Sequence, residues 1–344
     1  MKTFITIITC FMLLYTLSAH AEGASVFYKE LNLLSGYSDM DGFIDETKML
    51  KNSIGAEYFR RFSGEQGDYL TLDLQSRLTY KPTIKFKDAW AIEVHNAWLE
   101  YKLGLGYKLR FGHFDPSFGL EPILDTHGTI LQTLAMKNVG FKSDWGVSFR
   151  GTARLFDYEA SVQNGSGMKI KRNDGNFLLT YRMGNPQGNN FVYGFSALYG
   201  KVLRDNMEDS ASSVMSDSEM SDKPILVPPS NGRTELKKRI GVDFQYPYKS
   251  FLIKGEFAYG KDDKDNILGS FIQLDYTFPF VQALLAEIQM QNWRSSMGSE
   301  RMLDTMMSTC LSYKFNSKLT ARVAYLRTFD KDNQIFIQLY YFGI

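Results

Sequence analysis

Four basic residues stand in two pairs around an acidic segment: Lys108 and Arg110 precede it, and Arg150 and Arg154 follow it. The segment itself, Phe114 to Met136, holds no lysine or arginine and carries Asp115, Glu121 and Asp125. In an extended chain, spacings of two and four put each basic pair on one face of its strand. Cations on a wall opposite acids on a loop make a transverse field, not a reaction centre. A low-dielectric wall focuses the field of a few charges across a narrow water path. Arg77 and Arg182 can join the cluster from nearby strands. The same residues also allow a plainer arrangement, in which opposite charges neutralise each other and fasten the loop, and the two arrangements can coexist.

Other chemistry finds little footing. His95, His113 and His127 form no metal-ligand spacing, and neither a Gly-x-Ser-x-Gly turn nor a phosphate-cradling glycine loop occurs. The string Asp39 to Ile44 has a calcium-loop look, but with Gly42 in sixth place the first and twelfth positions fall on Tyr37 and Lys48, where acids are required. Cys310 is the only cysteine beyond the first residues, which rules out an intrachain disulfide or a cysteine metal site. With 39 Lys and Arg against 38 Asp and Glu, nothing favours nucleic acid. The expectation is therefore no enzyme, no cofactor and no metal, although a Ser-His-Asp set that meets only in space stays open at this stage.

The elements that must position these charges follow from periodicity. Met1-Lys2, an apolar run from Phe4 to Leu17 and Ser18-Ala19-His20-Ala21 read as a cleaved signal peptide over 1–21. After it, alternation of period two recurs almost without interruption. From Tyr69 to Lys81, Leu70, Leu72, Leu74, Leu78 and Tyr80 alternate with Thr71, Asp73, Gln75, Arg77 and Thr79. Trp145 to Leu155 repeats the pattern, with Arg150 and Arg154 on the polar side. About sixteen such strands fit between Val26 and Ile344. The connectors alternate in length: 38–51, 82–89, 114–144, 164–175, 202–234, 261–266, 294–300 and 329–333 on one side, and turns such as Gly104 to Gly106, Pro247-Tyr248 and Pro279-Phe280 on the other. A β-sandwich has no reason to sort its loops in this way. The spacing predicts an all-β chain, a transmembrane antiparallel β-barrel over 22–344 with long outer loops at 114–144 and 202–234. Its inner face mixes Asp243, Glu256, Asp275 and Glu287 with Lys237, Arg239, Lys254 and Arg322, which argues for weak selectivity.

The stretch Ala97 to Pro122, AWLEYKLGLGYKLRFGHFDPSFGLEP, resembles the phosphate-selective porin O and P family at Gly112, Phe114, Phe118, Gly119, Leu120 and Glu121, with Pro116 one position early. Asp144 to Gly151, DWGVSFRG, is similar to the strand that returns after the family's third loop. The resemblance implies a third loop folded into the lumen, basic residues that draw anions such as phosphate, and a homotrimer in the lipid of the bacterial outer membrane. The acidic loop of this chain points instead to opposed charges. The combined expectation is passive diffusion of small hydrophilic solutes or ions through a constriction of Arg110, Asp115, Glu121, Asp125, Arg150 and Arg154, with Asp73, Arg77, Lys108, Arg182 and Arg239 along the pore. The alternative is a plugged surface barrel with a structural or adhesion role.

Overall fold

A strand with one apolar and one charged face has two incompatible surfaces, and many such strands satisfy both by closing around water inside lipid. The computed structural model describes residues 23–47, 50–65, 67–81, 89–104, 106–124, 126, 128–172, 174–203, 234–297, 300–329 and 332–344. The segment read as a signal peptide, Asp125, His127 and residues 204–233 of the 202–234 loop lie outside the described residues.

The strands in chain order are β1 (Ser25–Ser38), β2 (Gly42–Ile44), β3 (Asn52–Gly64), β4 (Gly67–Tyr80), β5 (Trp90–Gly104), β6 (Tyr107–Phe114), β7 (Asp144–Thr152), β8 (Asp157–Gln163) and β9 (Phe177–Gly184). They continue as β10 (Val192–Leu203), β11 (Thr234–Tyr248), β12 (Phe251–Asp262), β13 (Asp265–Thr277), β14 (Leu284–Met297), β15 (Glu300–Lys314), β16 (Leu319–Thr328) and β17 (Asp332–Gly343). Each pairs antiparallel with its neighbour, and β1 pairs with β17 from Lys29↔Gly343 to Ser38↔Gln334, which closes the ring. The short β2 pairs with the end of β1 beyond the point where the β1–β3 ladder stops at Asn32↔Ser53, so the ring holds sixteen strands.

The two faces are sorted in the opposite sense to a soluble protein. Ile54, Ile92, Phe195, Ile240, Ile272 and Ile337 are exposed on the outside, while Asp73, Gln75, Arg77, Thr79, Gln289 and Gln338 are buried within. A continuous apolar exterior of this kind faces hydrocarbon. No helix among the described residues is long and apolar enough to cross a membrane.

Several expected boundaries move. The connectors placed at 261–266 and 294–300 shrink to 263–264 and 298–299, because β12 to β15 extend their ladders into them. The loop side therefore carries long connectors only up to residue 233, followed by three that are as tight as turns. Pro247 stays in β11 opposite Leu252, where the strand still pairs, and the turn falls on Lys249 with its positive φ of 54°. Near Pro279-Phe280 the turn extends to residue 283, held by bonds from Val281 N to Phe278 O and from Leu284 N to Val281 O. Strand β7 stops at Thr152, because Ala153 N already bonds Phe156 O across the turn.

Candidate functional site

Among the described residues, the connector between β6 and β7 enters the barrel. Its two ends are tied together by Gln163, whose Nε2 donates to Phe114 O at 3.0 Å and to Asp144 O at 3.3 Å. From there the chain leans along the inner wall in sequence. Ser117 N donates to Thr180 Oγ1 on β9, Gly119 N to Ser196 Oγ on β10 and Leu120 N to Glu256 Oε2 on β12. Further on, Gly128 O accepts from Arg322 on β16 and Gln338 on β17, and Gln132 O accepts from Gln289 and Gln291 on β14. On the way back Lys137 pairs with Asp304 on β15 at 2.7 Å, and Asn138 Nδ2 donates to Glu256 Oε1 at 2.8 Å.

Apolar side chains make this seat permanent. Leu120 and Leu134 pack on Phe271, Phe118 and Val139 on Leu178, Leu198 and Ala258, and Ile130 and Leu131 on Leu34 and Phe336. Each such side chain contributes about 1.5–3 kcal/mol when fully buried. Two glycines allow the close approach: at Gly119 (φ 64°) a Cβ would overlap the Glu256 carboxylate, and at Gly128 (φ 69°) it would overlap the Tyr340 ring. The loop thus leans on the inner wall from β9 to β17, and two cavities lie mainly along β3 to β8, the one nearer the loop also reaching Tyr28 and Phe342.

The loop acids behave differently from one another. Glu121 is buried and satisfied within the loop, accepting from Thr126 and Thr133 and pairing with Lys142 at 3.2 Å. It fastens the loop and does not oppose the wall. Asp115 accepts from Ser143 Oγ at 2.6 Å and lines a cavity of about 280 Å³ with Lys142, facing Glu57, Gln75 and Asn96 on the wall. Burial, with Glu121 alongside, pushes the Asp115 carboxyl up to about 6, against the pull of Lys142 and the Ser143 hydroxyl.

On the wall, three of the expected cations converge on one carboxylate. Glu100 meets Lys108 at 2.8 Å, Arg110 at 2.9 Å and Arg150 at 3.2 Å. They stand side by side because Glu100 is in register with Arg110, and Lys102 with Lys108 and Lys108 with Arg150 in the next row. Arg110 also reaches Glu159 at 3.9 Å and lies 4.5 Å over the Trp98 ring. This cluster borders a second cavity of about 350 Å³, which also touches Arg61, Asp68 and Lys102 at the tight-turn end. The cavities succeed one another down the same strands: the row Glu57, Gln75, Asn96 is followed by Phe59, Asp73, Trp98 and then by Arg61, Thr71, Glu100.

The remaining expected residues lie elsewhere. Arg154 sits past the end of β7 in the exposed turn to β8, so it takes no part in the cluster. Arg77 pairs with Glu30 at 2.5 Å, Arg182 holds Asp243 through two bonds of 2.6 and 3.1 Å, and Arg239 pairs with Asp262 at 2.5 Å; all three are buried and compensated. Asp73 is buried between Phe59 and Trp98 in the register and lines neither cavity. Glu100, Lys142, Glu57 and Trp98 were not singled out from sequence for this site, and Glu256 only as one of many inner acids. Glu100 had a usable signal in its place opposite Arg110 across a three-residue turn, whereas Glu256 had none.

No protein-family model matches the chain, and no curated protein matches it in sequence. Solved structures do share its fold. OmpT in its trimer form, an outer membrane protein of Vibrio cholerae, superposes with a TM-score of 0.67 at 13% identity over 93% of this chain and 99% of that one. The anion-selective porin from Comamonas acidovorans gives 0.63 at 8% identity over 94% and 100%. OmpF of Salmonella typhi gives 0.61 at 11% identity over 93% and 98%. At these identities the likeness is one of fold, and the resemblance to the O and P porins rests on the residues of its motif.

Two outcomes follow for the loop. Glu256→Ala removes two bonds that hold the loop, each worth about 0.5–1.5 kcal/mol, so single-channel recordings should show flicker to a larger conductance; recordings identical to wild type would remove Glu256 as an anchor. With its carboxyl raised to about 6 by burial, Asp115 gains negative charge as pH rises through that value, so the ratio of chloride to potassium permeability should fall between pH 5 and 7.5. Asp115→Asn should flatten that change, and an unaltered pH profile in the variant would clear Asp115 of the effect.

Proposed function

We propose that the chain is an outer-membrane porin through which small hydrophilic solutes and ions diffuse passively. The observation that carries this reading is the division of the lumen: the inward loop packs on one part of the wall and leaves two cavities stacked mainly along β3 to β8. The constriction is mixed, with Asp115, Lys142 and Glu57 about the upper cavity. Below it, Arg61, Lys102, Lys108, Arg110 and Arg150 outnumber Asp68 and Glu100. A focused field of that sign draws anions. Phosphate is one of the anions so favoured, without a dedicated filter for it. The long loops face outward, the tight turns face the periplasm, and the exporting signal is the segment over 1–21.

The same barrel favours a homotrimer. Strands β6 to β9 run only 7 to 9 residues, at or below the roughly 9–11 that a tilted strand needs to cross lipid. A low wall of this kind is covered by neighbouring copies, and a molar mass of three chains in mild detergent is expected, whereas a monomeric mass would contradict it.

Planar-bilayer reversal potentials in a potassium chloride gradient test the porin. Wild type should give steady channels with a modest chloride preference. Glu100→Gln uncovers three cations and should strengthen that preference, and Arg150→Gln should weaken it. Silent bilayers would favour a plugged barrel, and two variants with wild-type potentials would place the filter elsewhere.

A further inference from the structure

The lower cavity contains two features that a filter for inorganic ions does not need. Phe59 and Trp98 point into it from β3 and β5, at inward positions flanked by Glu57, Arg61, Asn96 and Glu100. Neither ring belongs to any of the three apolar clusters that seat the loop. Both stay half-buried, open to the cavity. Each is instead backed by a guanidinium: Arg61 lies 5.4 Å from the centre of Phe59 and Arg110 lies 4.5 Å from that of Trp98. Such contacts hold both ring and cation in place.

The cations beside the rings divide into two kinds. Arg110 is largely buried, with its side chain 14% exposed and both Nε and Nη2 directed at Glu100. Lys108 and Arg150 remain 43% and 38% exposed, and Glu100 shared among three cations, with Glu159 opposite Arg150 and 3.9 Å from Arg110, leaves the cluster one positive charge in excess. A solute in the cavity meets apolar plates and reachable cations together. At about 350 Å³ the space lies within the roughly 300–1,000 Å³ typical of small-molecule sites.

We propose that this cavity is a subsite for organic anions, namely carboxylates on an aromatic or other apolar body, with Lys108 and Arg150 taking the carboxylate and Phe59 and Trp98 the body. The inference rests on the porin reading and names a solute class within it. A compact, strongly hydrated anion gains from the cations alone. A carboxylate with a flat apolar body gains from both sets of groups and pays no cost for an unpaired polar end.

Benzoate, acetate and inorganic phosphate, each titrated from the tight-turn side onto open channels in a planar bilayer, test the subsite. Benzoate should reduce the chloride current at a roughly fivefold to tenfold lower concentration than acetate, the ratio one aromatic contact supplies, and at a lower concentration than phosphate. Trp98→Ala should bring benzoate to the level of acetate, and Trp98→Phe should restore most of the difference. Equal effects of benzoate and acetate, stronger block by phosphate, or an undiminished benzoate effect in Trp98→Ala would each overturn the proposal. If no channels open, the porin reading fails first. Calorimetric titration of benzoate into the detergent-solubilised protein, wild type against Trp98→Ala, then decides the subsite separately: binding lost in the variant supports it, and no binding to wild type ends it.

Discussion

The closed backbone ladder is the constraint from which the other features follow. In hydrocarbon an unpaired amide or carbonyl costs several kcal/mol, so the first strand has to meet the last, as it does from Lys29↔Gly343 to Ser38↔Gln334. Closure forces every second residue outward to lipid and the others inward to water. It also creates an interior too wide for side chains alone to fill. The connector between β6 and β7 occupies part of that space, and the way it does so determines what remains for solutes.

That connector is held by two physically different means. On its apolar side it behaves as a small core, with leucines and phenylalanines seated on inward Leu178, Phe271 and Phe336. On its polar side, wall groups satisfy its backbone: Thr180, Ser196, Glu256, Gln289, Gln291, Arg322 and Gln338 all bond main-chain atoms of the loop. Its own acid Glu121 is consumed within the loop. The charge bordering the cavities consequently comes less from loop against wall than from the wall itself, where Glu100 is shared by three cations. Of the two arrangements weighed from sequence, Glu121 fits the plainer one, since it is neutralised and fastens the loop, while Asp115 lines a cavity beside Lys142 of the same loop and, among the described residues, faces no wall cation there.

Strand number and facing were legible because a period of two is a local signal, repeated in every crossing. The inward set Asp73, Gln75, Arg77 and Thr79 is an example. Strand ends were less legible, since hydrogen-bonded ladders continue through polar residues such as Asp262 and Asp265 as long as a partner is opposite. That is also why Arg154 was placed on a strand that had already turned. The lean of the loop was not legible at all. Glu256 meets Leu120 across 136 residues of sequence, and no local pattern encodes which wall an inward loop will touch. The three-cation cluster lay between these cases: each member's face was readable, but the focus on Glu100 needed the register of β5 with β6 and β7.

The route proposed for solutes runs along the wall of β3 to β8, with the inner wall from β9 to β16 covered by the loop. Single cysteines, placed in a Cys310→Ser background and challenged with a charged thiol reagent during current recording, test it most directly. Glu57→Cys, on the cavity, should react and reduce the current, while Gln289→Cys, buried behind Gln132 of the loop, should not. Equal reaction at both positions, or reaction at Gln289→Cys alone, would contradict the account.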